Sequence, residues 1–320
     1  MQRTRARPYF TVMLVLLALP GSLTAAQKDK GEEKGNAANL PAVIWRDPGK
    51  AASLNLLYGA GGKAHAPDPN GQYTFVKEDP AGTSPKFEVV DAQGVQWKVK
   101  LGQEPQSETA ATRLLWAAGY FVDEDYYLAE FKVTGLPKLH RGGNFVSADG
   151  TVHRARLERK LKEVKKAGNW GWFDNPFLNQ REWNGLRVMM SLLNNLDLKE
   201  INNSIYEVNG ERRYLVSDVG ATFGKTGGRL SRSKSEPKSY EHSPFIEKAG
   251  PGFVDFVQRG KMQEVAKRIP RADAKWLGQR LSQLSEEQIR DCFRAGGYTP
   301  EEVAEYTQAV QERIAELAAL

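Results

Sequence analysis

The stretch from Asn194 to Gly220, NNLDLKEINNSIYEVNGERRYLVSDVG, constrains this chain more than any other. Two runs of strand-forming residues, SIYEV and RRYLVS, flank Asn209-Gly210. An Asn-Gly pair in that setting predicts a tight β-hairpin, because both residues tolerate the positive φ angles of the turn. The hairpin carries the chain back to where it began, so Asp218 is expected beside Asn202. A carboxylate, a carboxamide oxygen and the nearby Asp197 suit a hard, oxygen-liganded cation such as Mg²⁺.

The same string resembles the catalytic segment of the protein-kinase-like superfamily. There an Asp-Leu-Lys-x-x-Asn loop runs through a short hairpin to Asp-Phe-Gly. The corresponding residues are Asp197-Leu198-Lys199-x-x-Asn202 and Asp218-Val219-Gly220. The resemblance implies that Asp197 orients an attacking hydroxyl and accepts its proton. It also implies that Asn202 and Asp218 hold Mg²⁺ or Mn²⁺ against the phosphates of ATP.

Upstream, the runs YTFVKE, KFEVVD and VQWKVKL, punctuated by Gly, Pro and Asp, predict a meander of antiparallel strands. The small-residue turn Ala81-Gly82-Thr83-Ser84-Pro85-Lys86 lets backbone amides approach an anion. Strand alternation places Lys98 and Lys100 on one face, so either amine can reach a cleft. Ser107-Glu108-Thr109 is expected to open a helix in which Ala111, Leu114, Leu115 and Ala118 recur at helical spacing, with Gly119 ending it. A loop with a glycine, a strand lysine and a helix glutamate follow in the order of a kinase nucleotide site. The resemblance thus assigns Gly82, Thr83, Ser84 and Lys86 to the phosphates, and Lys100 paired with Glu108 to the same end. The glycines of LYGAGGK, by contrast, match neither a dinucleotide fingerprint nor a P-loop and predict a turn.

The fold implied is α+β and two-lobed, with a β-rich N-lobe over residues 40–165 and a mainly helical C-lobe over 166–320. The likeness is to the atypical branch: HipA-type, phosphoinositide-type and secreted kinases. Asn195-Leu196 stands where ordinary kinases have His-Arg, so control by a phosphorylated activation loop is not expected. Val219 replaces a Phe that packs rather than ligates. The segment beyond Gly220, TFGKTGGRLSRSKSEPKSYEHSPF, lacks periodicity and is expected to be mobile.

At the start of the chain, Arg3, Arg5 and Arg7 precede an apolar run from Phe10 to Leu19 and the small residues Thr24-Ala25-Ala26. This predicts a signal peptide over 1–26 and an exported protein, periplasmic or secreted, followed by a flexible spacer over 27–39. The single cysteine, Cys292, excludes an intramolecular disulfide and is expected in a helix core. A formal charge of +6 fits phosphate-bearing ligands, while no basic stretch is interleaved with aromatics as nucleic-acid binding requires. The expected activity is transfer of the ATP γ-phosphoryl group to a hydroxyl on a protein, lipid, sugar or small molecule. A kinase-fold binding module and an adenylyl transferase would use the same residues.

Overall fold

Alternation in KFEVVD and QWKVKL, with Phe87, Val89, Trp97 and Val99 fully buried, builds one wall of a closed β-barrel. The computed structural model describes residues 40–225, 233–259 and 262–320. The expected leader and spacer, and residues 226–232 of the segment expected to be mobile, lie outside the described residues. Pro41–Leu320 forms one unit.

A short strand, β1 (Ala42–Val43), comes first, followed by β2 (Tyr73–Asp79), β3 (Lys86–Asp91) and β4 (Gln96–Leu101). Helix α1 (Glu104–Ala117) interrupts the meander before β5 (Asp125–Thr134) and β6 (Thr151–Arg159). The barrel order is β2-β3-β4-β6-β5, closed by parallel pairing of Tyr73 with Val133. Its interior is apolar, with Tyr73, Phe131, Val152 and Leu157 at its centre.

The helix begins earlier than the sequence suggests. Glu104, not Ser107, opens it, with Pro105 in the first turn. Proline is tolerated there because its missing N–H would have no helical partner. Glu108 therefore sits a full turn inside α1, and Glu104 takes the N-terminal position. At the other end Gly119 has φ +99°, and a Cβ there would meet the Arg46 carbonyl at 2.6 Å. A glycine is required at this point by close approach.

After the barrel, strand β7 (Lys165–Asn169) falls within the segment expected to connect the lobes. It pairs with β8 (Asn203–Val208), which pairs with β9 (Glu211–Val216), and β1 adds to β9 in parallel. Between β7 and β8 runs α2 (Arg181–Leu192), with Trp183, Leu186, Met189 and Met190 all buried as its periodicity predicts. The hairpin turn is the expected one: Asn209 has φ +52° and Gly210 φ +75°.

Short helix α3 (Pro237–Glu241) and a small sheet of β10 (Ile246–Ala249), β11 (Phe253–Phe256) and β12 (Ile269–Pro270) follow. Helices α4 (Arg271–Leu281), α5 (Glu286–Ala295) and α6 (Pro300–Ala319) complete the chain. Capping boxes start α5 at Ser285 and α6 at Thr299. Val303, Val310, Ile314 and Leu317 of α6 are buried in one core with α2. Cys292 is fully buried, and burial raises its thiol far above the thiolate range, so it packs rather than reacts. Among the described residues no helix is long and apolar enough to cross a membrane.

Candidate active site

Barrel register assembles the site. Lys86 stands opposite Lys100, and Lys100 opposite Arg156, so β3, β4 and β6 carry a row of three cations. One step along, Glu88, Lys98, Glu158 and Asp125 form a parallel row on the same face. Cross-strand neighbours lie about 5 Å apart, close enough for every charge to feel the next.

Lys100, not Lys98, is the buried amine. Its Nζ lies 3.0 Å from Glu108 Oε2, 2.9 Å from Asp218 Oδ1 and 2.7 Å from Glu104 Oε2. Lys98 is more exposed and reaches only Glu158, at 3.8 Å. Burial would lower the Lys100 pKa, but Glu108, Asp218 and Glu104 raise it, so the amine stays charged. Lys100 and Asp218, 118 positions apart, thus meet as donor and acceptor.

Arg156 had no signal in the sequence beyond being a charge on a strand. Its guanidinium meets Glu108 Oε1 at 2.9 Å, Asp125 Oδ1 at 3.2 Å and Glu158 Oε2 at 2.6 Å. Glu108 is thereby held from both sides, by Lys100 on one oxygen and Arg156 on the other. Burial pushes the Glu108 pKa upward despite both cations.

Burial pushes Asp125 up to about 7 as well, with Arg156 opposing and Glu108 and Glu158 assisting. A carboxylate raised in this way holds its proton in the folded state where the unfolded chain has released it. Its contribution to stability is therefore complete below about pH 3.8 and is lost as pH rises through about 7. The urea midpoint is expected to fall between pH 5 and 8, and Asp125→Asn to flatten that slope.

The β2–β3 turn lies over the lysine. Gly82 has φ +70°, and a Cβ there would stand 3.3 Å from Lys86 Nζ. Ser84 Oγ donates to Glu104 Oε2 at 3.0 Å. Arg141, which the sequence did not single out, donates to the carbonyls of Pro80, Gly82 and Thr83 and fixes the turn's shape. With those carbonyls occupied on one side, the turn keeps a defined conformation over the Lys100 amine.

On the hairpin side, the Ser217 N–H donates to the Asn202 carbonyl at 2.8 Å, which pairs Asn202 with Ser217, the residue before Asp218. Asn202 Nδ2 donates to the Asp197 carbonyl at 3.2 Å, leaving its oxygen as the unused end. Ser217 Oγ is buried without a hydrogen-bond partner. Asp197 is held by its backbone: its N–H donates to Asn195 Oδ1 at 2.9 Å, and the Leu196 N–H donates to the Ala221 carbonyl. Its carboxylate meets Lys199 Nζ at 3.0 Å. Asn195 and Leu196 thus have positional roles, and Val219 is fully buried. Farther back, Arg313 of α6 donates to the Leu192 carbonyl and to Asn194 Oδ1, anchoring the start of the loop to the last helix.

Among the described residues no group of three or more His, Cys, Asp or Glu is placed to hold a metal ion. Asn202 and Asp218 supply oxygens of the kind that Mg²⁺ takes as ligands. A cavity of about 600 Å³ lies beside the charged cluster rather than at it. Trp116, Phe121 and Leu215 give it apolar walls, and Glu158 and Tyr206 line the same space. Glu158 bonds Arg156, and Tyr206 sits on the hairpin that ends at Asp218. The charges converge at the cluster, and the cavity next to it offers room for a partly apolar group.

No family model matches the chain, and no curated protein matches it. Among solved structures it is similar to the Helicobacter pylori proinflammatory kinase CtkA, with 10% identity and a TM-score of 0.43, over 78% of this chain and 94% of that one. It is similar also to the Golgi casein kinase, alone and with Mn/ADP bound, again at 10% identity and a TM-score of 0.43, over 79% of this chain and 72% of that one.

Proposed function

We propose that the protein is an exported phosphotransferase that moves the γ-phosphoryl group of ATP to a hydroxyl acceptor. The observation that carries this reading is the convergence of Lys100, Glu108 and Asp218 within 3.0 Å contacts, with Ser84 of the Gly82 turn bonded to Glu104 beside them and Asn202 paired with Ser217, the residue before Asp218. Export rests on the leader pattern of residues 1–26.

In this reading Lys100, kept charged by its carboxylates, binds phosphate oxygens, and the amides and Ser84 of the turn cover them. Glu108 positions Lys100, and Arg156 positions Glu108. The base lies in the cavity lined by Trp116 and Phe121. A divalent ion held by Asn202 and Asp218 would neutralise the charge that builds up on the phosphates. Asp197 orients the acceptor hydroxyl and takes its proton as the oxygen bonds to the γ-phosphorus. The bond from that phosphorus to the bridging oxygen breaks, and ADP leaves with the electron pair.

Calorimetry of the protein from Gln27 onward with ATP and Mg²⁺ or Mn²⁺, followed by transfer of labelled phosphate to an envelope extract, tests the proposal. Metal-dependent binding is expected, and Lys100→Met should weaken it by about 10-fold or more, the loss of a charge-assisted contact. Binding that ignores Lys100→Met would refute the assignment. A product carrying adenosine in place of phosphate alone would convert it to adenylyl transfer.

A further inference from the structure

Glu104 is absent from the scheme above, yet its carboxylate is the most heavily solicited anion in the site. Oε2 takes Lys100 Nζ at 2.7 Å and Ser84 Oγ at 3.0 Å, while Oε1 takes Lys234 Nζ at 2.6 Å. The three donors come from β4, from the turn over the lysine, and from the segment beyond Gly220. Gly220 makes room for this arrangement, since a Cβ there would stand 2.7 Å from Glu104 Cβ. A carboxylate gripped by two ammonium groups and a hydroxyl occupies a donor set of the composition that binds phosphate.

We infer that Glu104 is an internal anion seated on the phosphate-binding donors, that a polyphosphate ligand must displace it, and that Lys234 then becomes a second phosphate-binding lysine. The inference rests on the nucleotide-site reading and adds its regulation. Glu104 is anionic at every physiological pH: burial opposes its ionisation, but Lys100 and Lys234 outweigh it and hold the pKa at about 2. Competition is therefore always present, and its strength depends on where the segment carrying Lys234 lies. In the seated state that lysine meets a single carboxylate oxygen; in the displaced state it meets a polyphosphate of higher charge, so its net effect favours the ligand.

The test compares wild type, Glu104→Gln and Lys234→Ala by calorimetry with two probes, ADP and inorganic tripolyphosphate, both in the presence of Mg²⁺. Glutamine keeps the size and hydrogen bonding of the side chain and removes its charge. Glu104→Gln is expected to bind both probes about tenfold more tightly, the gain from abolishing a blocked state populated about nine-tenths of the time. Lys234→Ala is expected to bind both more weakly by a similar factor. A purely structural role for Glu104 predicts equal or weaker binding by Glu104→Gln, and that result would overturn the inference while leaving nucleotide binding by wild type intact. Should Glu104→Gln lose its cooperative thermal transition, Lys234→Ala decides, because its side chain is 36% exposed and its removal does not empty the core. Wild-type affinity in Lys234→Ala overturns the inference. Absence of binding by all three folded proteins refutes the nucleotide-site reading as well.

Discussion

Asp218→Ala and Asp197→Asn are each expected to lower phosphoryl transfer by at least about 10²-fold, the usual loss of a positioned acid–base or electrostatic group. Both proteins are expected to stay folded. Asp218 has a half-exposed side chain, and Lys100 retains Glu104 and Glu108 when it is gone. Asp197 meets only the exposed Lys199 through its carboxylate, a pair worth about 1 kcal/mol or less. The two variants should differ in kind. Asp218→Ala removes the metal ligand proposed above, so it should need more Mg²⁺ for whatever activity remains. Asp197→Asn should bind nucleotide and metal as wild type does and fail at transfer. Rates measured across a metal titration, alongside thermal midpoints, separate the two. Equal transfer by wild type and either variant would remove the catalytic role assigned to that residue.

Arg156→Met is expected to be the most destabilising single change in the N-lobe, by about 3–5 kcal/mol, the cost of stranding buried charge. Arg156 is 2% exposed and is the shared partner of Glu108 and Asp125, themselves 1% and 0% exposed. Methionine fills the space but leaves those carboxylates facing one another. They must then take up protons or water, and both distort the seam between α1, β5 and β6. Lys98→Ala, two residues from Lys100 and on the same face, is expected to cost about 1 kcal/mol or less, since its one ion pair is long and partly exposed. Urea titrations at pH 7 distinguish the cases. An Arg156→Met midpoint matching that of Lys98→Ala would show that the buried network is not what holds α1 to the barrel.

The difference between those two lysine and arginine positions marks the limit of local reading. Alternation put Lys98 and Lys100 on one face and could not rank them, because their burial depends on α1 and the hairpin arriving above Lys100. Arg156 and Arg141 carry no motif; each matters only because a distant carboxylate or carbonyl was brought to it. Glu104 lies ahead of the helix start expected at Ser107, although Pro105 is compatible with a first helical turn.

What the sequence determined by itself was local and periodic. Asn209-Gly210 dictated the turn, the strand alternation dictated the barrel wall, the spacing in α2 and α6 dictated their buried faces, and Ser285 and Thr299 dictated where α5 and α6 begin. The α+β character follows from those elements. Tertiary structure alone decided which charge is buried and with whom. Ion pairing is not periodic in sequence, and a carboxylate's partner is fixed by register and closure of the barrel across a hundred residues or more. The same amine is a solvated surface group in one packing and the centre of a site in another.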